Sequence, residues 1–204
     1  VDAGFSIVAW TAPNDSGTVG HGLDSTPELI IAKPLGSGTN WYVQAPVVTA
    51  VNQVLNLDST TAAFNPGVNH FNDTYPTSTV FSYGGYLGDD LTDDDKIAYC
   101  FHSVEGYSKI NKYIGTGSSS STPFIYTGFS PAYVLIKNAT GAANWLIFDN
   151  KREGYNPCDV LYADDPTTEE TSSTKNIDIL SNGFKIGAST NSNVNSSGAS
   201  YLYL

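Results

Sequence analysis

The stretch Pro27-Glu28-Leu29-Ile30-Ile31-Ala32-Lys33 returns 104 residues later as Pro131-Ala132-Tyr133-Val134-Leu135-Ile136-Lys137. Both copies are short apolar runs that open at a proline, which is typical of a β-strand that follows a turn. The pair Asn40-Trp41 recurs as Asn144-Trp145 at the same spacing, again ahead of a β-favouring segment. The sequence therefore predicts a β module that occurs twice.

The repeat extends over the whole chain of 204 residues. Gly4-Phe5-Ser6-Ile7 is answered by Gly106-Tyr107-Ser108-Lys109 after 102 residues, and the aromatic segment 97–101 corresponds to the segment 200–204. A period of about 100 residues is longer than a solenoid repeat and fits the duplication of a complete domain. We therefore expect one module over residues 1–103 and a second over residues 104–204.

Short segments rich in β-branched and aromatic residues dominate both halves, and no stretch has the apolar spacing of a long helix. This pattern predicts an all-β fold: two tandem β-sandwich modules, jelly-roll-like, related by internal duplication. In the hairpin predicted at 177–186, Asn182-Gly183 is expected to supply the positive φ angles of a tight turn. The predicted strands are 5–10, 29–33, 41–44, 51–57, 80–83, 97–102, 109–114, 133–137, 145–149, 159–162, 177–180, 184–186 and 201–204.

The composition excludes several classes of partner. Twenty acidic and nine basic residues give a net charge of −11, and the scattered basic residues cannot form the clusters that bind nucleic acid or anionic lipid. No apolar run approaches the 18 residues or so of a membrane-spanning helix, so membrane insertion is not expected. A chain that begins at Val1 without a leader and ends at Leu204 inside an apolar strand predicts a fragment or a processed product.

The two cysteines, Cys100 and Cys158, fall at non-corresponding positions of the two modules. Two cysteines do not form a disulfide scaffold, and whether they pair stays open. Cys100 lies in an apolar strand, where it is expected to act as a small buried apolar residue.

The densest acidic cluster precedes the strand at Ile97. Several carboxylates in one loop can coordinate Ca²⁺ through oxygen atoms, but the run lacks the spacing of an EF-hand. Its counterpart at 193–198 has no carboxylate, so a solvated loop is the favoured interpretation and no cofactor is predicted. The candidate metal ligands are Asp89, Asp90, Asp93, Asp94 and Asp95.

No catalytic constellation emerges from the remaining polar residues. His21 lies in a Gly-His-Gly turn whose counterpart, Thr127-Gly128, lacks the histidine, which favours a structural role. No serine has the strand–turn–helix setting of a hydrolase nucleophile. Pairs of carboxylates for glycoside cleavage would come from a set of acids whose first member, Asp149, aligns with about Ala45 in the first module, and surface acids are the better account. That set is Asp149, Glu153, Asp164, Asp165, Glu169 and Glu170.

Aromatic residues are the remaining candidates for binding. Trp41 and Trp145 recur at equivalent places within strands, which favours a structural role. Tyrosines in loops, among many Asn, Ser and Thr residues, can provide flat surfaces for a sugar ring with flanking hydrogen bonds. The candidate ligand-binding residues are Tyr75, Tyr83, Tyr86, Tyr126 and Tyr155.

Several phrases, taken in order, carry a resemblance. They include Ala98-Tyr99-Cys100-Phe101-His102-Ser103-Val104-Glu105-Gly106-Tyr107-Ser108-Lys109, Asn144-Trp145-Leu146-Ile147-Phe148-Asp149 and Leu180-Ser181-Asn182-Gly183-Phe184-Lys185. Over essentially its whole length the chain resembles a family of repeated virion proteins, structural and tail-fibre-like, of marine and cyanobacterial tailed bacteriophages. The first module lacks the phrase Phe148-Asp149…Arg152…Tyr155-Asn156 in its middle.

The resemblance implies a setting rather than a catalytic site. It implies a non-enzymatic virion structural protein, part of a tail fibre or another external appendage, with a role in binding the host surface. The expected partners are further copies of the chain, with a trimer as one form, other virion proteins and a host surface glycan. The alternatives are a capsid decoration protein and a glycan-binding module or depolymerase that acts on host polysaccharide.

Overall fold

The computed structural model describes residues 3–12, 16–36, 38–85, 87, 94–152, 156 and 159–204. In these ranges every regular element is a β-strand, so the all-β prediction is confirmed. No helix long and apolar enough to cross a membrane occurs in this part of the chain. The strands are β1 Phe5–Ala12, β2 Gly17–Gly20, β3 Leu29–Pro34, β4 Tyr42–Gln44, β5 Leu55–Asn56, β6 Val80–Tyr83, β7 Asp94–Phe101, β8 Asn111–Ile114, β9 Phe124–Tyr126, β10 Tyr133–Asn138, β11 Trp145–Asp149, β12 Leu161–Tyr162, β13 Ile177–Leu180, β14 Gly183–Ile186 and β15 Ser200–Tyr203.

The chain divides into two compact units. Unit 1 comprises Val1–Leu57 and Ala63–Val104, and unit 2 comprises Asp58–Ala62 and Glu105–Leu204. The short segment Asp58–Ala62 lies in the first half of the sequence but belongs to unit 2. The sequence repeat could not predict this assignment, because a repeat shows similarity along the chain and not contacts in space.

Each unit contains a five-stranded antiparallel sheet with the same strand order. In unit 1 the order is β1-β7-β3-β4-β5, and in unit 2 it is β8-β15-β10-β11-β12. The last strand of each unit therefore lies between the first strand and the strand that opens at the repeated Pro-to-Lys stretch. The smaller sheets are β2-β6 in unit 1 and β9-β14-β13 in unit 2. In each unit the first, last and third strands thus lie side by side, and the next two strands continue the same sheet as a meander.

The strand register corrects one detail of the sequence alignment. Ala32 of β3 lies opposite Ala98 of β7, and the equivalent Ile136 of β10 lies opposite Tyr203 of β15. Ala98 thus corresponds to Tyr203, two residues beyond the position that matching 97–101 to 200–204 implies. A shift of two residues keeps every side chain on its face of the sheet, so the apolar pattern alone could not detect it.

A core lies between the two sheets of each unit, as in a β-sandwich. In unit 1, Val19 of β2 lies opposite the fully buried Phe81 of β6 and packs toward the inner face of the large sheet. In unit 2, Ile125 of β9 lies opposite the fully buried Phe184 of β14 in the same way. Cys100 is wholly buried, as expected, and burial raises the pKa of its thiol to about 12. Its pairing with Cys158 lies outside the described residues.

The predicted hairpin at 177–186 is present, with β13 and β14 joined by Ser181-Asn182. Leu180 pairs with Gly183, so the turn lies one residue earlier than predicted, and neither Asn182 nor Gly183 has a left-handed φ. Gly183 is required for a different reason. A Cβ atom at this position would lie 2.0 Å from the carbonyl oxygen of Ile125 on the neighbouring strand.

Candidate functional site

The acidic run yields no described metal site. Asp89, Asp90 and Asp93 lie outside the described residues, and the backbones of Asp94 and Asp95 form the start of β7 rather than a loop. The Asp95 carboxylate accepts a hydrogen bond from the Thr11 hydroxyl at 2.6 Å. Among the described residues no group of three potential metal ligands comes together. The Ca²⁺ hypothesis therefore gains no support from the one carboxylate of the run whose contacts are defined.

His21 has the structural role that the repeat predicted. Its side chain is fully buried, and its Nδ1 accepts a hydrogen bond from the backbone N–H of Leu23 at 3.1 Å. Because Nδ1 is an acceptor, the ring proton lies on Nε2, which faces the Thr77 carbonyl oxygen at 3.2 Å. Both ring nitrogens therefore serve to hold a turn of the chain.

The phrase found only in unit 2 forms a clamp around a loop. The Arg152 Nε donates to Asp149 Oδ2 at 2.6 Å, and its Nη1 pairs with the Glu169 carboxylate. Its Nη2 donates to the carbonyl oxygens of Ile147 at 3.3 Å and Asp159 at 3.2 Å. The planar guanidinium thus links the end of β11 to Asp159, which lies on the far side of the loop. An arginine side chain can do this because it has several N–H donors in a fixed geometry.

Asn156 completes the clamp from within the same loop. Its side-chain amide donates to the Ile179 carbonyl oxygen at 2.9 Å and accepts from the Ile179 N–H at 2.6 Å. Since β13 is the edge of the three-stranded sheet, the amide takes the place of a further strand at that edge. The described part of the Asp149–Asn156 phrase therefore stabilises the fold.

A second polar network lies on the same unit. Lys175 Nζ approaches Glu170 Oε2 at 2.7 Å and the Tyr162 hydroxyl at 2.5 Å, and that hydroxyl also bonds to Glu170. The hydrogen bond from Lys175 lowers the pKa of Glu170. Burial lowers the pKa of Lys175, but its bonds to Glu170 and Tyr162 outweigh this and leave the pKa raised. These directions keep both groups charged, as in an ion pair, and are opposite to those that poise a general acid and base.

The carboxylates considered for glycoside cleavage are engaged in similar ways. Asp164 accepts from the Trp145 N–H at 2.9 Å, and Asp165 accepts from the Thr167 N–H at 2.8 Å. The hydrogen bond from Arg152 lowers the pKa of Asp149, and bonds from Thr167 lower that of Asp165. Glu153 lies outside the described residues. The lowered pKa values of Asp149, Asp165 and Glu170 are opposite in direction to that of the carboxylic acid that protonates a glycosidic oxygen.

The tyrosine candidates separate into distinct cases. Tyr83 packs against Trp10 at 6.0 Å between ring centres and belongs to the margin of the unit 1 core. Tyr75 is 38% exposed, and its hydroxyl donates to the Thr49 carbonyl oxygen at 2.8 Å. Tyr86 and Tyr155 lie outside the described residues. Tyr126 is 65% exposed and is the most exposed of the three candidates that the structure describes.

Tyr126 belongs to an exposed surface that the sequence did not single out. The outer side of the β9-β14-β13 sheet carries two rows of side chains that follow from the strand register. One row is Phe124, Lys185 and Asp178, and the other is Tyr126, Gly183 and Leu180. We call these six residues the aromatic face. Phe124 is 48% exposed, and its ring tip would lie 3.2 Å from a Cβ atom at Gly183. The glycine therefore leaves room for the ring to lie flat against the sheet.

The equivalent strand of unit 1 carries no aromatic residue on this side. Because Val19 and Ile125 occupy the same place opposite a core phenylalanine, Thr18 corresponds to Phe124 and Gly20 corresponds to Tyr126. Thr18 and Gly20 are both exposed. The fold therefore does not require aromatic residues at these positions. A comparison of the outward-facing positions of β2 and β9 would have identified Phe124 from the sequence.

Two antiparallel sandwich units of common strand order, one of which carries an exposed aromatic face, define the chain as an all-β, two-unit sandwich protein. It belongs to the family described as a domain of unknown function, DUF7483, which matches residues 1–204. No curated protein and no solved structure matches the chain.

Proposed function

We propose that the chain is a non-enzymatic structural protein of a tailed-bacteriophage virion, part of a tail fibre or another external appendage, that contacts the host surface. The observation that carries the proposal is the contrast between the two units. Both build the same five-stranded sheet, whereas the exposed aromatic residues at the outward positions of β9 have no counterpart on β2. A repeated scaffold with a contact surface on one copy suits an appendage.

The polar groups support a non-enzymatic role. The described carboxylates of unit 2 that were candidates for chemistry accept hydrogen bonds from arginine, lysine, hydroxyl or backbone groups that hold loops in place. The net charge of −11 favours solubility at a high copy number and disfavours contact with nucleic acid. In this proposal the chain assembles with copies of itself and with other virion proteins.

The proposal is tested on virus particles. Gold-labelled antibodies are raised against the purified chain and applied to particles of the phage whose genome encodes the sequence. The label is then located by electron microscopy. Label on the tail or its fibres is the expected result. Label over the whole head would favour a capsid decoration protein, and particles without label would overturn the virion assignment.

A second measurement concerns activity. Purified chain incubated with host surface polysaccharide is expected to release no oligosaccharides. Release that stops when Asp149 and Glu169 are replaced by Asn and Gln would overturn the non-enzymatic part of the proposal and favour a depolymerase.

A further inference from the structure

We infer that the aromatic face binds a neutral saccharide, with the rings of Phe124 and Tyr126 as stacking surfaces. This inference rests on the proposed contact with the host surface and names the site and the ligand class. Phe124 and Tyr126 stand two residues apart on one strand, so their side chains point the same way. Ile125 between them is buried in the core and anchors the strand.

The dimensions of the face suit a small ring-shaped ligand. Two residues along a strand span roughly 7 Å, and three neighbouring strands span roughly 10 Å. This area accommodates one or two sugar rings lying flat. The face of an aromatic ring carries partial negative charge, which attracts the C–H groups on the apolar side of a sugar ring.

The polar residues of the face balance in charge. Lys185 lies directly opposite Phe124 on one side and Asp178 on the other, so the row contains one cation and one anion. A donor and an acceptor beside a ring are the groups that sugar hydroxyls need. Since the local charge sums to zero and the chain carries −11, an anionic ligand is disfavoured and a neutral one fits.

The exposed area argues against a protein as the occupant. An aromatic side chain contributes about 150–250 Å² when fully exposed. With exposures of 48% and 65%, the two rings together offer about 250 Å². A stable interface between two copies of a protein buries about 800 Å² on each partner. The two rings alone are too small for such a contact.

The test compares the chain with variants that carry the residues of unit 1. In the double variant Phe124→Thr, Tyr126→Gly, each new residue already stands at the equivalent place on β2, and the fold is expected to persist. Neutral oligosaccharides of glucose, galactose and mannose are titrated into the isotope-labelled chain while amide NMR shifts are followed. We expect saturable shifts on β9 and β14 for at least one sugar and at least a tenfold loss of affinity in the double variant.

Two further variants separate ring stacking from other effects. Phe124→Leu, Tyr126→Leu keeps an apolar surface without rings and is expected to lose binding as well. Tyr75→Ala, which removes an exposed tyrosine of unit 1, is expected to leave binding unchanged. The absence of saturable shifts with every neutral sugar, or equal affinity in the Leu variant, would overturn the inference. So would self-association of the wild-type chain that the double variant abolishes, because the face would then be a contact between copies.

The outcomes also distinguish this inference from the proposed function. Label on the tail without sugar binding would remove the saccharide site and leave the virion role. Sugar binding at the aromatic face without label on any particle would remove the virion role and leave the site.

Discussion

Asn156 and Ile179 are joined by two hydrogen bonds, in which the side-chain amide of one residue pairs with both backbone polar groups of the other. The pair resembles one rung of an antiparallel ladder, made by a side chain instead of a strand. It closes the exposed edge of β13 and links the loop after β11 to the small sheet. Asn156 has a left-handed backbone with φ of 54°, a conformation that asparagine tolerates better than most residues.

The first prediction uses this backbone geometry. Asn156→Gly removes the amide but adopts the left-handed conformation without strain, so we expect it to destabilise unit 2 by about 1–2 kcal/mol. Asn156→Ala removes the amide and adds steric strain, and we expect roughly a further 1 kcal/mol. Urea unfolding of the wild type and the two variants measures the free energy of unfolding of each protein. An Ala variant as stable as the wild type would show that the two hydrogen bonds contribute nothing.

The second prediction concerns the guanidinium of Arg152. Arg152→Lys keeps the charge but cannot reach two carboxylates and two carbonyl oxygens at once, so we expect a loss of about 1–2 kcal/mol. Amide hydrogen exchange in the segments that flank the loop, 145–152 and 159–162, is expected to accelerate. Lys151→Ala is the matched control, because the exposed Lys151 contributes its backbone N–H to Asp149 and keeps it in the variant. Equal exchange in the two variants would contradict the role of the clamp.

The third prediction is acid sensitivity at His70 of unit 1. Burial lowers the pKa of His70 to about 4, its ring lies 4.0 Å from that of Tyr42, and its buried Nδ1 has no described hydrogen-bond partner. The folded pKa lies below the unfolded value of about 6.5, so the unfolded chain binds more protons between these two pH values. Stability is therefore full above pH 6.5 and falls as the pH approaches 4, by at most about 3 kcal/mol.

The variant His70→Phe keeps an aromatic ring against Tyr42 and cannot titrate. We expect its unfolding free energy to depend less on pH than that of the wild type between pH 6.5 and 4, as followed by urea unfolding at several pH values. Carboxylates that titrate in this range affect both proteins alike. If the two pH profiles run parallel, the role assigned to His70 is wrong.

The fourth prediction is alkaline behaviour at Lys137 of unit 2. Its fully buried ammonium donates to the carbonyl oxygen of Ala143, approaches that of Ser59 at 3.4 Å and lies 5.7 Å from the ring centre of Trp145. Burial lowers its pKa to about 8, against an opposing effect of Asp164. Between pH 8 and about 10.5 the unfolded chain binds more protons than the folded one, so the stability of unit 2 rises over this window.

Local hydrogen exchange of β10 and β11, corrected for the intrinsic effect of pH on exchange, measures this rise. We expect it in the wild type and not in Lys137→Met. Lys33→Met provides the control in unit 1, where the partly exposed Lys33 donates to the Thr39 carbonyl oxygen at 2.6 Å. A rise that survives in Lys137→Met would assign the effect to another group.

The sequence predicted strand bounds best where an apolar segment is flanked by clear turn signals. Strands β6, β11 and β13 have the predicted bounds, because each combines bulky β-favouring residues with clear turn signals on both sides. In contrast, the predicted strand at 51–57 is reduced to Leu55–Asn56, with turns before it. Isolated β-propensity does not report which backbone groups find a partner strand.

The two strands missed entirely are β2 and β9. Strand β2 is Gly17–Gly20, with glycine at both ends, and β9 is only the three residues Phe124–Tyr126 after a proline. The local β-strand signal is weak in both segments. Each strand forms because one apolar residue, Val19 or Ile125, pairs with a core phenylalanine on the neighbouring strand of the sheet. Missing β9 meant that Tyr126 was placed in a loop and that Phe124 was overlooked.

The assignment of Asp58–Ala62 to unit 2 has a consequence for any attempt to take the chain apart. The boundary between the units crosses the backbone after residues 57, 62 and 104 rather than once. A protease that cuts only the link near residue 104 would produce two pieces that are still joined by hydrogen bonds. In these bonds Lys137 and Ala143 of the C-terminal piece donate to the carbonyl oxygens of Ser59 and Thr60 in the N-terminal piece. If the C-terminal piece is expressed without the segment Asp58–Ala62, we expect Lys137, which is buried in the intact chain, to become exposed. The smallest portable unit of this protein is therefore longer than its sequence repeat.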